Sequence, residues 1–74
     1  MAASKATYTM LQGRQALLLY RNVMKLQMRK VPQELRALGD LMIKQEFRLH
    51  LDKASEDQMT KFLIGWEQYE RMLD

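Results

Sequence analysis

The sequence contains no cysteine and a single histidine. No disulfide can staple the chain, and no thiolate can hold zinc or an iron–sulfur cluster. One imidazole cannot by itself build a protein-only metal site. It also leaves little room for a serine–histidine–carboxylate arrangement, and there is no cysteine nucleophile and no glycine-rich phosphate loop among the three glycines. Proline occurs once, at Pro32. Long apolar runs are absent too. The longest is Ala16-Leu17-Leu18-Leu19-Tyr20, far short of the roughly 20 residues that cross a bilayer. There is no secretory signal core and no lipidation box at the C-terminus. Acidic residues are missing from the whole stretch before Glu34.

What remains is a chain of 74 residues, enough for one domain with a thin core. A chain this short usually gains stability from a partner, a metal or a crosslink. With the last two excluded, binding to a partner is the natural source. The net charge of +3 conceals an asymmetry. Residues 1–33 carry six bases and no acid, and residues 34–74 carry nine acids and six bases. The first third therefore has the make-up of a mitochondrial targeting segment, basic and able to form an amphipathic helix. The same composition suits a basic helix facing an acidic partner. A separate cleavable presequence would leave too little chain for the first helix, so the expectation is an uncleaved internal signal. After residue 33 bases alternate with acids, and no nucleic-acid-binding motif is present, so no direct nucleic-acid contact is expected.

Three helical segments account for nearly all of the chain. The first is expected from about Thr9 to Arg29. Ala16, Leu17, Leu19, Tyr20, Val23, Met24 and Met28 form its apolar stripe, and Arg14, Arg21, Lys25 and Arg29 lie on the other side. Pro32 stops that helix and suits the start of the next. The second is expected from Gln33 to about Leu51, with Leu35, Leu38, Met42 and Leu49 on one face and Ile43 and Phe47 broadening it. Gly39 inside it predicts a kink or a close helix approach. Ser55, with Gln58 three residues later, reads as a capping box for a third helix from Glu56 to Leu73. Glu56 and Asp57 favour the positive end of that helix. Met59, Phe62, Leu63, Trp66, Tyr69 and Leu73 form its apolar face. Short links imply antiparallel neighbours. The expectation is an all-α, three-helix, up-down-up bundle over residues 9–74, preceded by a flexible tail over residues 1–8.

Several residues admit two readings from sequence alone. Tyr20 is either a core tyrosine with its hydroxyl at the bundle edge or part of a binding channel. Phe47 is either packing or channel lining. Arg21, with Arg14 and Lys25, forms a solvated face or a docking face. Glu46 and His50 share a helix face, a spacing that usually marks a local contact and not an acid–base pair. His50 is more interesting as an interaction residue at a helix C-terminus. Seven methionines are either ordinary core packing or the adaptable lining of a binding surface.

Four blocks occur in order: Leu19-Tyr20-Arg21; Leu38-Gly39-Asp40; Lys44-x-Glu46-Phe47-Arg48-x-His50; and Phe62-Leu63-x-x-Trp66-Glu67-x-Tyr69. A lone LYR tripeptide carries little weight, but the ordered series resembles the LYR family of small mitochondrial helical proteins. Within that family it is similar to the succinate dehydrogenase assembly factor 3 branch. The resemblance covers roughly residues 15–73. It implies a non-enzymatic adaptor in the mitochondrial matrix. It further implies two partners, an acylated mitochondrial acyl carrier protein and the iron–sulfur subunit of succinate dehydrogenase. The alternative it leaves open is a permanent LYR subunit of a large mitochondrial complex, paired with acyl carrier protein. By the same resemblance, Leu19, Tyr20 and Arg21 are the motif, Arg21, Lys44 and Arg48 dock the carrier, and Tyr20, Met24, Ile43 and Phe47 line an acyl channel. No cofactor or metal would be bound directly; a 4'-phosphopantetheine-linked acyl chain would arrive with the carrier.

Overall fold

The structure is a computed structural model that describes residues 5–74. Three helices follow one another: α1 (Met10–Lys30), α2 (Gln33–Lys53) and α3 (Glu56–Leu73). Each boundary has a local cause. At the start of α1 the Thr9 hydroxyl accepts from the Gln12 amide at 3.1 Å, and Gln12 Oε1 accepts from the Thr9 amide at 3.0 Å. This reciprocal capping satisfies two of the amides that a helix start leaves without partners. Val31 adopts an extended conformation and Pro32 caps α2 without a side-chain hydrogen bond. The Ser55–Gln58 box opens α3 as expected, with both reciprocal bonds formed.

The hydrogen bonds between elements fix their directions. Gln12 Nε2 donates to Thr60 Oγ1 at 2.9 Å, and Tyr69 donates to Gln27 at 2.8 Å, so α1 and α3 run in the same direction. Gln27 Nε2 reaches Asp40 at 3.4 Å while Tyr8 reaches Leu51 at 2.7 Å, so α2 runs against α1. This is the up-down-up bundle. α1 is its common helix: it packs along both neighbours, while the backbones of α2 and α3 stay largely apart. The gap between α2 and α3 is spanned by rings. Phe47 lies 4.8 Å from Phe62 and 5.2 Å from Trp66, centroid to centroid, and His50 stacks on Phe62 at 3.8 Å.

The core is Ala16, Leu19, Val23, Ile43, Phe47, Ala54, Met59 and Leu63. Two stripes differ from the sequence expectation. On α1, Leu17 and Met28 are exposed, and Leu26 is buried in their stead. On α2, Leu35, Leu38, Met42 and Leu49 are between 49% and 68% exposed, while Ile43 and Phe47 are buried. α2 carries two apolar stripes roughly a third of a turn apart, and only one can face α1. The stripe bearing Phe47 turns inward because an aromatic ring contributes the larger buried area and meets three other rings there.

The tail expected over residues 1–8 lies partly outside the described residues, which begin at Lys5. Lys5 to Tyr8 run beside the end of α2. The Lys5 amide donates to the Asp52 carbonyl at 3.1 Å and the Thr7 amide to the Ala54 carbonyl at 3.0 Å. Among the described residues no helix is long and apolar enough to cross a membrane.

Candidate functional site

α1 and α2 diverge over the Tyr20 ring, and the space between them is a groove of about 540 Å³. Its floor is apolar: Leu17 and Tyr20 from α1, Phe47 and Leu51 from α2. Its rim carries Lys44 and Arg48, four residues apart and therefore on one side of α2. Both cations are exposed, and among the described residues neither is in an ion pair. Tyr8 and Asp52 close one end. At the other end the groove continues along α1 into a second concavity of about 480 Å³ lined by Leu17, Tyr20, Arg21, Met24, Lys25 and Met28.

The structure therefore brings Tyr20, Lys44, Phe47 and Arg48 into one groove. Arg21 and Met24 line its continuation. Leu19 points into the core. Ile43 does not reach the groove. It is buried and lines a cleft of about 200 Å³ between α2 and α3, with Gln27, Gly39, Met42, Glu46, Trp66 and Tyr69. Phe47 is part of the core and is also among the residues that line the groove: it is 2% exposed and its ring is 5.2 Å from that of Tyr20. The methionines divide: Met59 is fully buried, whereas Met10, Met28, Met42 and Met72 are exposed.

Sequence reasoning missed Tyr8, Leu17, Leu51 and Asp52 as lining. A signal for Tyr8 existed. It sits one residue before the Thr9 cap, where an apolar side chain commonly packs on the first turn and a half of the helix. The residue it meets is Gly13, and a Cβ built there would stand 3.0 Å from Tyr8 Cε1. A side chain at position 13 would displace the ring.

Gly39 is a close approach: a Cβ there would lie 3.2 Å from Gln27 Nε2. Gln27 is 3% exposed, and its amide bridges Asp40 of α2 and Tyr69 of α3. A buried amide needs such partners, because an unpaired one is costly. Glu46 and His50 make the local contact expected of their spacing. His50 Nδ1 is 2.9 Å from the Glu46 carbonyl oxygen, which fixes the proton on that nitrogen, and 3.9 Å from the Glu46 carboxylate. The ring is held by its stack on Phe62. The groove joins an apolar lining to two exposed cations, Lys44 and Arg48, with the Asp52 carboxylate in the same lining.

Comparison with known proteins agrees with the order of the blocks. The family Complex1_LYR-like matches residues 16–74. The chain is 51% identical over 51 residues to succinate dehydrogenase assembly factor 3, mitochondrial, of Nematostella vectensis, covering 69% of this chain and 43% of that protein. It is 40% identical over 56 residues to the Candida albicans protein of the same name, covering 76% and 46%. For the Neurospora crassa protein of that name the identity is 34% over 71 residues, covering 90% and 48%. The chain thus spans less than half the length of each of these relatives. No solved structure matches it.

Proposed function

The chain belongs to the Complex1_LYR-like family, and from that premise we propose that it is a non-catalytic adaptor of the mitochondrial matrix. It binds an acylated acyl carrier protein and assists assembly of succinate dehydrogenase through that enzyme's iron–sulfur subunit. The client is inferred from relatives named as succinate dehydrogenase assembly factors. The carrier is what the resemblance to the LYR family implies, and the observation that supports it most is the pairing of Lys44 and Arg48 with the apolar lining around Phe47.

The chemistry of the residues fits such a guest. A carrier-borne arm brings a phosphate and a fatty acyl chain. Lys44 and Arg48 supply the charges that attract the carrier's acidic surface. Leu17, Tyr20, Phe47 and Leu51 exclude water from the acyl chain. Arg21 and Lys25, on the continuation of the groove, extend the cationic face along α1. These 74 residues contain no cysteine, so they offer no thiolate ligand to a client's iron–sulfur cluster.

Titration of the purified chain with acylated and unacylated carrier protein tests the reading. Acylated carrier should bind more tightly and raise the melting midpoint further, because only it delivers an apolar chain to the groove. Equal affinity and equal midpoints for the two forms would remove the acyl chain from the account. Recovery of the succinate dehydrogenase iron–sulfur subunit with the chain from mitochondria tests the client separately.

A further inference from the structure

We propose that Tyr8 is the stop that sets how long an apolar chain the groove accepts. The inference rests on the groove reading above and adds to it a determinant of specificity.

Three observations place the stop. First, Tyr8, Leu51 and Asp52 line the groove near the end of α2, while Leu17 and Tyr20 are shared with its continuation toward Met28. Second, Tyr8 is anchored at that end. Its hydroxyl donates to the Leu51 carbonyl at 2.7 Å, and the segment bearing it is tied to α2 through Lys5 and Thr7. Third, the ring lies across α1 at Gly13, where the missing Cβ gives it room. A side chain held by a hydrogen bond on one helix and by contact with another is a wall. The cationic rim fixes the other limit. An anionic head group held at Lys44 leaves about 10 Å of α2, from residue 44 to residue 51, for the chain that points at Tyr8. A chain longer than that stretch must displace the ring or leave the groove.

The ligand class is a straight alkyl chain bearing an anionic head, and the probes are saturated fatty acids of increasing length, kept below the concentration at which they form micelles. Calorimetric titration compares the wild-type chain with Tyr8→Ala, Tyr8→Phe and Gly13→Ala. Affinity of the wild type should rise about fourfold per added methylene until the chain meets the ring, then level off. Tyr8→Ala should carry the rise to longer chains. Gly13→Ala, whose Cβ would stand 3.0 Å from Tyr8 Cε1 and shift the ring by only a few tenths of an ångström, should level off close to the wild type while favouring α1. Tyr8→Phe keeps the ring but loses the hydroxyl that ties it to Leu51, and should level off between the wild type and Tyr8→Ala. A common plateau in all four proteins overturns the assignment of Tyr8 and leaves the groove reading standing. Failure of every chain to bind any of the four removes the groove reading itself, and this inference with it.

Discussion

Tyr69 donates its phenolic hydrogen to Gln27 Oε1 at 2.8 Å, and the same amide reaches Asp40 across the bare backbone of Gly39. One buried side chain thus ties together all three helices, and it explains why a glycine occupies the middle of α2. The arrangement predicts coupling. Gly39→Ala gains about 1 kcal/mol of helix propensity but forces Gln27 away at 3.2 Å. Alone, the substitution should stabilise little or destabilise. With Gln27→Ala already in place, the full propensity gain should appear. Urea unfolding of the four proteins in the cycle measures the difference, and strictly additive effects would show that Gln27 does not constrain position 39.

Lys44→Glu with Arg48→Glu should weaken binding of acyl carrier protein and leave helix content unchanged, since both side chains are exposed and unpaired among the described residues. Each exposed contact contributes only about 0.2–1 kcal/mol, so the double substitution is the informative one. The loss should shrink as salt is raised. Undiminished affinity at low salt would exclude this rim as the docking face.

The outer stripe of α2 should be indifferent to charge. Leu38→Glu and Met42→Glu lie at positions 68% and 57% exposed and should each change stability by no more than about 0.5 kcal/mol. Ile43→Ala, one residue beyond Met42 but buried, should cost about 2–5 kcal/mol. Thermal or denaturant unfolding separates the two outcomes cleanly. A large loss at Leu38 would mean that α2 is rotated about its axis relative to this structure.

That stripe also marks where sequence reasoning reached its limit. Helix existence, the Pro32 break and the Ser55–Gln58 cap were legible because each depends on neighbours in sequence. The choice of face on α2 was not, because periodicity shows two apolar stripes and says nothing about which one α1 and α3 will cover. The winner is decided by Tyr20, Phe62 and Trp66 meeting Phe47, contacts between residues far apart in the chain. The groove was legible in part for the same reason. Tyr20, Lys44, Phe47 and Arg48 come from blocks that sequence can recognise, whereas Tyr8 enters through backbone bonds to Asp52 and Ala54 made by its own segment. Backbone pairing of that kind leaves no residue signature of its own, and the one signal for Tyr8 is its place just before the Thr9 cap. Gln27 was missed because a lone polar residue on an apolar face looks like solvent-exposed surface until its two partners are in place.

Phe47 gives the most demanding prediction, since its ring is at once core and floor. It meets the rings of Tyr20, Phe62 and Trp66 and is 2% exposed. Phe47→Ala should therefore destabilise the free chain by about 3–5 kcal/mol, the cost of removing a buried phenylalanine. The cavity it leaves differs from a sealed one, because the groove runs directly over it. An apolar chain entering the groove can occupy part of that space and recover contacts that the substitution removed. Melting with and without a bound fatty acid should then show a larger ligand-induced rise in midpoint for Phe47→Ala than for the wild-type chain. Phe47→Leu, which keeps most of the volume, should lie between them in both stability and ligand response. If the ligand raises the wild-type midpoint but raises that of Phe47→Ala by less, the ring itself is a binding contact, and the trough depends on it more than on the space beneath.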